Sequence, residues 1–271
     1  MTAPRGSSSA LSLQCQCIPE DLEWATIGRR GTHPRVSLSP MPLLGFDIET
    51  ANIIELAPGE GLEAHGPLNI TVAATHISGG EELLWLSVGA DGVPQPVLDR
   101  DQARQLLAYL ARMQSEGHRV VAWNGLSFDM RWLGHAAGDR ATAARVAMKL
   151  YDPMFQFFKM KGFAIGLAAA ARGLGITMTK LMDGALAPQA WRDGKFAEVS
   201  EYVKGDARMT VEIALAIERA GGITWITKKG SPSSVRFPRL RTVQECMADP
   251  MPDQSWLDDP WPQAKFTSWM E

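Results

Sequence analysis

Met41-Pro42-Leu43-Leu44-Gly45-Phe46-Asp47-Ile48-Glu49-Thr50 is an apolar run that ends abruptly in two carboxylates. In an extended strand alternate side chains share a face, so Asp47 and Glu49 point the same way, about 7 Å apart along the chain. Two acids this close repel each other unless a cation lies between them. Such a pair is common by itself. Its meaning depends on whether further carboxylates arrive at the same point.

Working outward, Leu43–Ile48, Asn69–Ile77 and Leu83–Val88 read as strands, with Ser78-Gly79-Gly80 as a hairpin turn between the last two. This order predicts an antiparallel meander. Asp99 to Gly117 carries Ala103, Leu106, Leu107 and Leu110 at helical spacing and ends on glycine, so a helix is expected to cross the sheet. Arg119–Trp123 is a short buried strand, broken by Asn124-Gly125 before Phe128 and Asp129 enter a helix; a strand reached through a helix is expected to be parallel. Helices follow over Ala141–Leu150, Pro153–Lys159, Ile165–Arg172 with Gly173 as its cap, and Phe196–Ala220 closed by Gly221-Gly222. Ile223–Thr227 and Ser234–Phe237 read as a β-hairpin.

Two further segments bring carboxylates toward the first pair. In Trp123-Asn124-Gly125-Leu126-Ser127-Phe128-Asp129 the aspartate follows a strand and a turn, where side chains emerge at the carboxyl edge of a sheet. In Glu201-Tyr202-Val203-Lys204-Gly205-Asp206, Tyr202 and Asp206 are four residues apart and share one helix face, while Glu201 is turned about 100° away. Hydrolysing a phosphodiester needs a nucleophile near neutral pH and neutralisation of phosphate charge. Two divalent cations supply both, and hard cations take oxygen ligands.

Phe46-Asp47-Ile48-Glu49-Thr50, Asn124-Gly125-Leu126-Ser127-Phe128-Asp129 and Tyr202-x-x-x-Asp206 together resemble the DEDD 3′-to-5′ exonucleases of the RNase H-like superfamily. The similarity is to the tyrosine subgroup, and most to the proofreading domains of family B DNA polymerases. The histidine subgroup would place its histidine at position 201, which is glutamate here. The resemblance implies an α/β RNase H-like fold, a mixed five-stranded sheet flanked by helices with a small C-terminal extension. It implies that Asp47, Glu49, Asp129 and Asp206 hold two Mg²⁺ or Mn²⁺ ions and that Tyr202 positions the attacking water. Glu49 and Thr50 would lie by the terminal 3′ hydroxyl and Asn124 would touch substrate. Phe128 is a candidate for stacking on bases, as is Trp123, for which core packing is the competing expectation. The expected partner is the 3′ end of a single-stranded nucleic acid; DNA and RNA both stay open, as does a catalytically silent nucleic-acid-binding protein.

The expected organisation is a flexible or draping arm over residues 1–40, the exonuclease domain over 41–222, and a basic hairpin with an acidic Trp/Pro-rich tail over 223–271. The composition, 45% hydrophobic and 21% charged with a net charge of -3, suits one substantial core and argues against a surface that is basic throughout. Charge is nonetheless uneven. Residues 223–243 hold five basic side chains and no acid, whereas 244–271 hold six acids and one lysine. Lys228, Lys229 and Arg236 are therefore candidates for a phosphate clamp, with a solvated face as the alternative. The tail, with Trp256, Trp261 and Trp269, is expected to fold back on the core, or to meet a second copy or a protein partner. Asp152, before Pro153, reads as a helix N-cap, with an additional site carboxylate as the alternative. Cys15, Cys17 and Cys246 lack zinc spacing and read as free thiols, and the five histidines show no ligand spacing. With no long apolar span and no secretory pattern, a cytoplasmic location is expected.

Overall fold

Strand β1 (Leu43–Thr50) lies inside the sheet of the computed structural model, which describes residues 41–57, 60–177 and 182–271. The N-terminal arm, with Cys15, Cys17 and His33, falls outside the described residues. After β1 come β2 (Ile70–Ile77), β3 (Glu82–Trp85), α1 (Arg100–Ser115), β4 (Arg119–Val121), α2 (Asp129–Ala137), α3 (Arg140–Met148), α4 (Pro153–Lys161) and α5 (Leu167–Gly173). Then follow α6 (Ala187–Arg192), α7 (Phe196–Ala220), a hairpin of β5 (Gly222–Ile226) and β6 (Pro232–Arg236), α8 (Val243–Met247) and α9 (Ala264–Thr267). The order in the main sheet is β3-β2-β1-β4, antiparallel except for β4, which runs parallel to β1. The fold is thus mixed α/β, with a mixed sheet flanked by helices. Among the described residues no helix is long and apolar enough to cross a membrane.

The main sheet has four strands, not the five expected. The position of a fifth is occupied by Tyr151 alone, which bridges Val121 on one side and Thr242 on the other. Its backbone N–H donates to Val120 and its carbonyl accepts from Ala122. The strand stops there because Asp152 caps α4 and Pro153 has no N–H with which to extend a ladder.

The two faces of β1 meet different partners. Leu44, Phe46 and Ile48 enter the core built with α1, α2 and α3, while Leu43 packs with Val211 of α7. Gly45 is on the α7 side, and a Cβ there would lie 2.1 Å from the Ala207 carbonyl oxygen and 2.8 Å from Val211 Cγ2. Only glycine lets α7 come this close. The same face carries Asp47 and Glu49, so the approach that excludes a side chain at position 45 brings Asp206 over the carboxylates. Val199, Val203 and Ala207 bury a stripe of α7 against Val72 and Ala74 of β2. Further along, Arg208 donates to both carboxylate oxygens of Glu82 on β3 (3.1 and 3.0 Å). Gly221, left-handed at φ 61°, ends the helix.

Gly173 is the last residue of α5 rather than its cap; Leu174 is the cap and Gly175 (φ 72°) takes the left-handed position. A Cβ on Gly173 would lie 2.2 Å from the Thr224 carbonyl oxygen, so its missing side chain serves the packing of α5 on β5. The C-terminal tail lies on the core: Phe266 and Trp269 are buried in it, and Lys159, 5% exposed, donates to the Asp249 carbonyl (2.8 Å) and Gln263 Oε1 (2.6 Å). Cys246 is a buried free thiol, its pKa pushed up to about 12 by burial.

Gly45→Ala is expected to lower the unfolding free energy by about 2–3 kcal/mol through overpacking against backbone. Gly205→Ala, on the open side of the same helix with nothing within 4 Å of the added carbon, should raise it by about 0.5–1 kcal/mol. Urea unfolding of the two variants checks the contrast.

Candidate metal centre

Asp47 and Glu49 of β1 and Asp206 of α7 place one carboxylate oxygen each within 4.8 Å of one another. The strand supplies two acids because its side chains alternate, and the helix supplies the third because Gly45 lets it approach. The register of β1 against β2 is regular through Glu49 and shifts between Glu49 and Thr50, where Thr71 is the extra residue, so it is β2 that bulges opposite the end of β1. Tyr202, one turn before Asp206, donates its hydroxyl to the Asp206 carboxylate. Its ring sits against the 184–186 turn, where a Cβ on Gly184 would lie 3.0 Å from the hydroxyl oxygen. Glu201 faces elsewhere, pairing with Lys204 and lying 3.9 Å from Arg208.

Asp129 reaches the same region by a different route. β4 pairs with β1 only as far as Gly45, which leaves the edge of β1 open opposite the acids. Beyond β4 the chain turns through Trp123–Phe128, with Asn124 left-handed at φ 66°, a conformation asparagine tolerates better than most residues. Asp152 holds this turn: its carboxylate accepts from the backbone N–H groups of Asn124 (3.1 Å) and Leu126 (3.0 Å) while capping α4 through Phe155 (3.0 Å). Trp269 closes it from the other side, its indole N–H donating to the Leu126 carbonyl at 2.8 Å. Asp129, first residue of α2, accepts from the Ile48 N–H between the two β1 acids. It is 3% exposed and its Oδ1 has no protein partner. Asp129 stands outside the 4.8 Å trio, yet its charge raises the pKa of both Asp47 and Glu49.

Burial is the largest cause of the upward shifts at Asp47 and Glu49, followed by repulsion from the other carboxylates. Burial likewise lifts Asp129 to about 8, against hydrogen bonds from its own N–H and from Ile48, and Asp152 to about 6. The Tyr202 hydroxyl is driven far above its ordinary value by burial and then by Asp206, Glu49 and Asp47, so it stays protonated. Asp47, Glu49 and Asp206, with the orphaned buried oxygen of Asp129 beside them, form a donor set made wholly of hard oxygens. That set fits a divalent cation such as Mg²⁺ or Mn²⁺.

The remaining sequence candidates are placed as follows. Thr50 is 7% exposed at the end of β1. Asn124 spends its side-chain oxygen on the Ser127 hydroxyl (2.6 Å). Phe128 packs edge-on against Trp132, with ring centroids 6.5 Å apart, at the margin of the core. Trp123 donates to the Ile165 carbonyl (3.3 Å) and is partly buried. Lys228 and Lys229 lie at the β5–β6 turn and Arg236 at the end of β6, all exposed; none of them is among the groups that shift the carboxylates. Sequence reasoning found Asp152 as a cap through its Asp-Pro signature but not its hold on the 124–126 turn. The sequence led us to expect Trp269 on the core but not its bond to the 124–126 turn, and nothing in it pointed to Gly184.

No protein-family model and no curated protein matches the chain. Among solved structures it is similar to the family B DNA polymerase from the hyperthermophilic archaeon Pyrobaculum calidifontis, at 18% identity and a TM-score of 0.47, over 66% of this chain. The chain spans about a quarter of that polymerase, 24% of its length.

Stability should report the carboxylates directly. Their folded pKa values lie above the unfolded ones, so the folded state holds protons that the unfolded state has already lost. The stability these groups contribute is then fully present below the ordinary carboxyl range and is lost as pH rises from about 4 toward about 8. A cation that takes the place of those protons binds more tightly as pH rises. In thermal melts between pH 5 and pH 8, the midpoint in chelator should fall by several degrees, and the gain from Mn²⁺ should widen. A flat metal-free profile, or no response to Mn²⁺, would contradict the assignment.

Proposed function

We propose that the protein is a metal-dependent 3′-to-5′ exonuclease that releases nucleoside monophosphates from single-stranded nucleic acid, with DNA slightly favoured over RNA. The observation that carries this reading is the convergence of Asp47, Glu49 and Asp206 within 4.8 Å, with Asp129 buried beside them. In this reading Asp47, Glu49, Asp129 and Asp206 hold two divalent cations, Mg²⁺ or Mn²⁺, at the floor of the site. When bound, the cations supply positive charge to the attacked phosphate and the leaving oxygen and make water more acidic. Clustered carboxylates are otherwise a poor environment for a polyanion, so metal loading and substrate binding are linked.

Tyr202 acts as a neutral hydrogen-bonding group. Its raised pKa rules out phenolate at working pH, so it orients a water rather than deprotonating it. It also touches Asp206, which couples the orientation of the hydroxyl to that of the ligand. Tyrosine in this position supports the tyrosine-subgroup reading. Glu49 and Thr50, at the open end of β1, are assigned to the terminal 3′ hydroxyl and sugar. Asn124 and Phe128 are assigned to the approaching strand. Unpaired ends suit the site because a terminal nucleotide must come down to carboxylates at the sheet edge. A cytoplasmic enzyme acting on free 3′ ends is the setting we assign.

Digestion of 5′-labelled single-stranded DNA and RNA in Mn²⁺ tests this. Shortening one nucleotide at a time from the 3′ end, abolished by chelator, is expected, and the rates on the two polymers rank them. Asp47→Asn and Asp206→Asn should each lower activity at least about 100-fold, because each withdraws charge stabilisation worth several kcal/mol. Tyr202→Phe should lower kcat while leaving the stabilisation by Mn²⁺ unchanged. Binding without nucleotide release in Mn²⁺ would identify a silent nucleic-acid-binding protein instead.

A further inference from the structure

Two features that the carboxylate site does not use, the basic hairpin and the Trp-rich tail, meet in one place. A cleft of about 650 Å³ is lined by Phe163, Arg172, Trp225, Lys228, Trp256 and Asp259 among others, and includes none of the four site acids. A second cleft of about 480 Å³ shares Phe163, Trp225 and Trp256 and adds Lys161 and Asp253. Trp256 therefore stands between two open spaces, and it is 59% exposed. An exposed ring that forms part of two clefts lined with further aromatic side chains is the kind of surface that takes a ligand.

The ring is held in place. Its N–H donates to the Asp253 carbonyl (3.1 Å), and Phe163 meets it edge-on at 5.7 Å between centroids and 87° between planes. Phe163 in turn packs against Trp225, which packs against Phe157, so a buried aromatic ladder supports the exposed member. The neighbouring indole is already occupied, since Lys265 Nζ lies 3.4 Å from the Trp261 ring centroid. A fixed, uncovered aromatic face costs little conformational entropy on binding. Lining the two clefts around it are Arg172, Lys228 and Lys161 against Asp259 and Asp253, with Lys229 and Asp258 next to them in the chain; Asp253 is turned to the Ser255 N–H. A flat ring edged by a net excess of cations suits a base with its phosphate better than an apolar peptide.

We propose that Trp256, braced by Phe163 and edged by Arg172 and Lys228, is a stacking platform that grips an unpaired stretch of single-stranded nucleic acid away from the carboxylates. This rests on the nucleic-acid reading of the carboxylate site. The wall of the cleft is tied to the strand leading into the Asn124–Asp129 turn, because Trp123 donates to the carbonyl of Ile165, a lining residue. A strand held here would be retained between successive cleavages.

The test uses the full chain in chelator, so that nothing is cleaved, and follows anisotropy of a 5′-fluorescein oligothymidylate. Trp256→Ala should weaken binding about tenfold or more, the loss of one stacked base, and Trp256→Phe should recover part of it. Lys228→Gln should reduce the slope of log affinity against log salt by about one. Turnover of a dinucleotide in Mn²⁺ should be the same in Trp256→Ala as in the wild type. Wild-type affinity in Trp256→Ala, or a Trp256-dependent dimer in sedimentation that buries the ring against a second copy, overturns the platform. The two readings fail separately. Trp256-dependent binding without nucleotide release in Mn²⁺ supports the platform and removes the nuclease, while nucleotide release with Trp256-independent binding does the reverse.

Discussion

The structure depends on holding carboxylates together against their mutual repulsion. Asp47, Glu49 and Asp206 crowd within 4.8 Å and Asp129 adds its charge from the side. In a metal-free chain the hydrogen bonds from Tyr202 and from the Ile48 N–H offset only part of this repulsion, so the arrangement is imposed largely by packing. The imposing contact is the close approach of α7 to β1 at Gly45, where backbone meets backbone and no side chain fits. Apolar burial along α7, at Val199, Val203, Ala207 and Val211, supplies the force, each larger side chain contributing about 1.5–3 kcal/mol.

The fourth acid is positioned by a different device. Asp129 sits at the start of a helix that follows a tight turn, and that turn is held by hydrogen bonds from both sides, to Asp152 and to Trp269. Asp152 does two things with one carboxylate: it ends the chain's run beside β4 by capping α4, and it fixes the backbone that delivers Asp129. That dual role also explains why the sheet stops at four strands. Trp269 makes the last residues of the chain part of the site's scaffold, although they lie far from it in sequence. Two oxygens of Asp152 satisfied by backbone N–H groups and one orphaned oxygen of Asp129 divide the buried acids by task. The first is structural, and the second has no hydrogen-bond partner among the described residues of the protein.

Much of this was legible in the chain. Alternation placed Asp47 and Glu49 on one face, helical spacing paired Tyr202 with Asp206, and the glycines after Ala220 marked the end of α7, because all three are local rules. The β5–β6 hairpin and the cap at Asp152 followed from turn and capping chemistry. The fifth strand was an expectation of the family resemblance and not of any run in this chain; its place is taken by Tyr151, a single residue with the pairing of a strand but not its length. α6 escaped notice because six residues beginning Ala187-Pro188 are too short for periodicity to show. Gly173 was read by its usual role at helix ends, whereas its function is close packing on Thr224, a tertiary contact. For the same reason the bond from Trp269 to Leu126, 143 residues away, and the fit of Gly184 against Tyr202 left no trace in local sequence.

Calorimetric titration of the full chain with Mn²⁺ at pH 7, in two buffers of different ionisation enthalpy, addresses the central claim most directly. It reads ion stoichiometry and proton release together. The account predicts two ions per chain, with protons released as buried carboxyls such as Asp129, with a pKa of about 8, give way to the metal. Asp206→Asn should lose at least one of the two ions. No binding, or binding that is indifferent to Asp206 and to buffer, would contradict it.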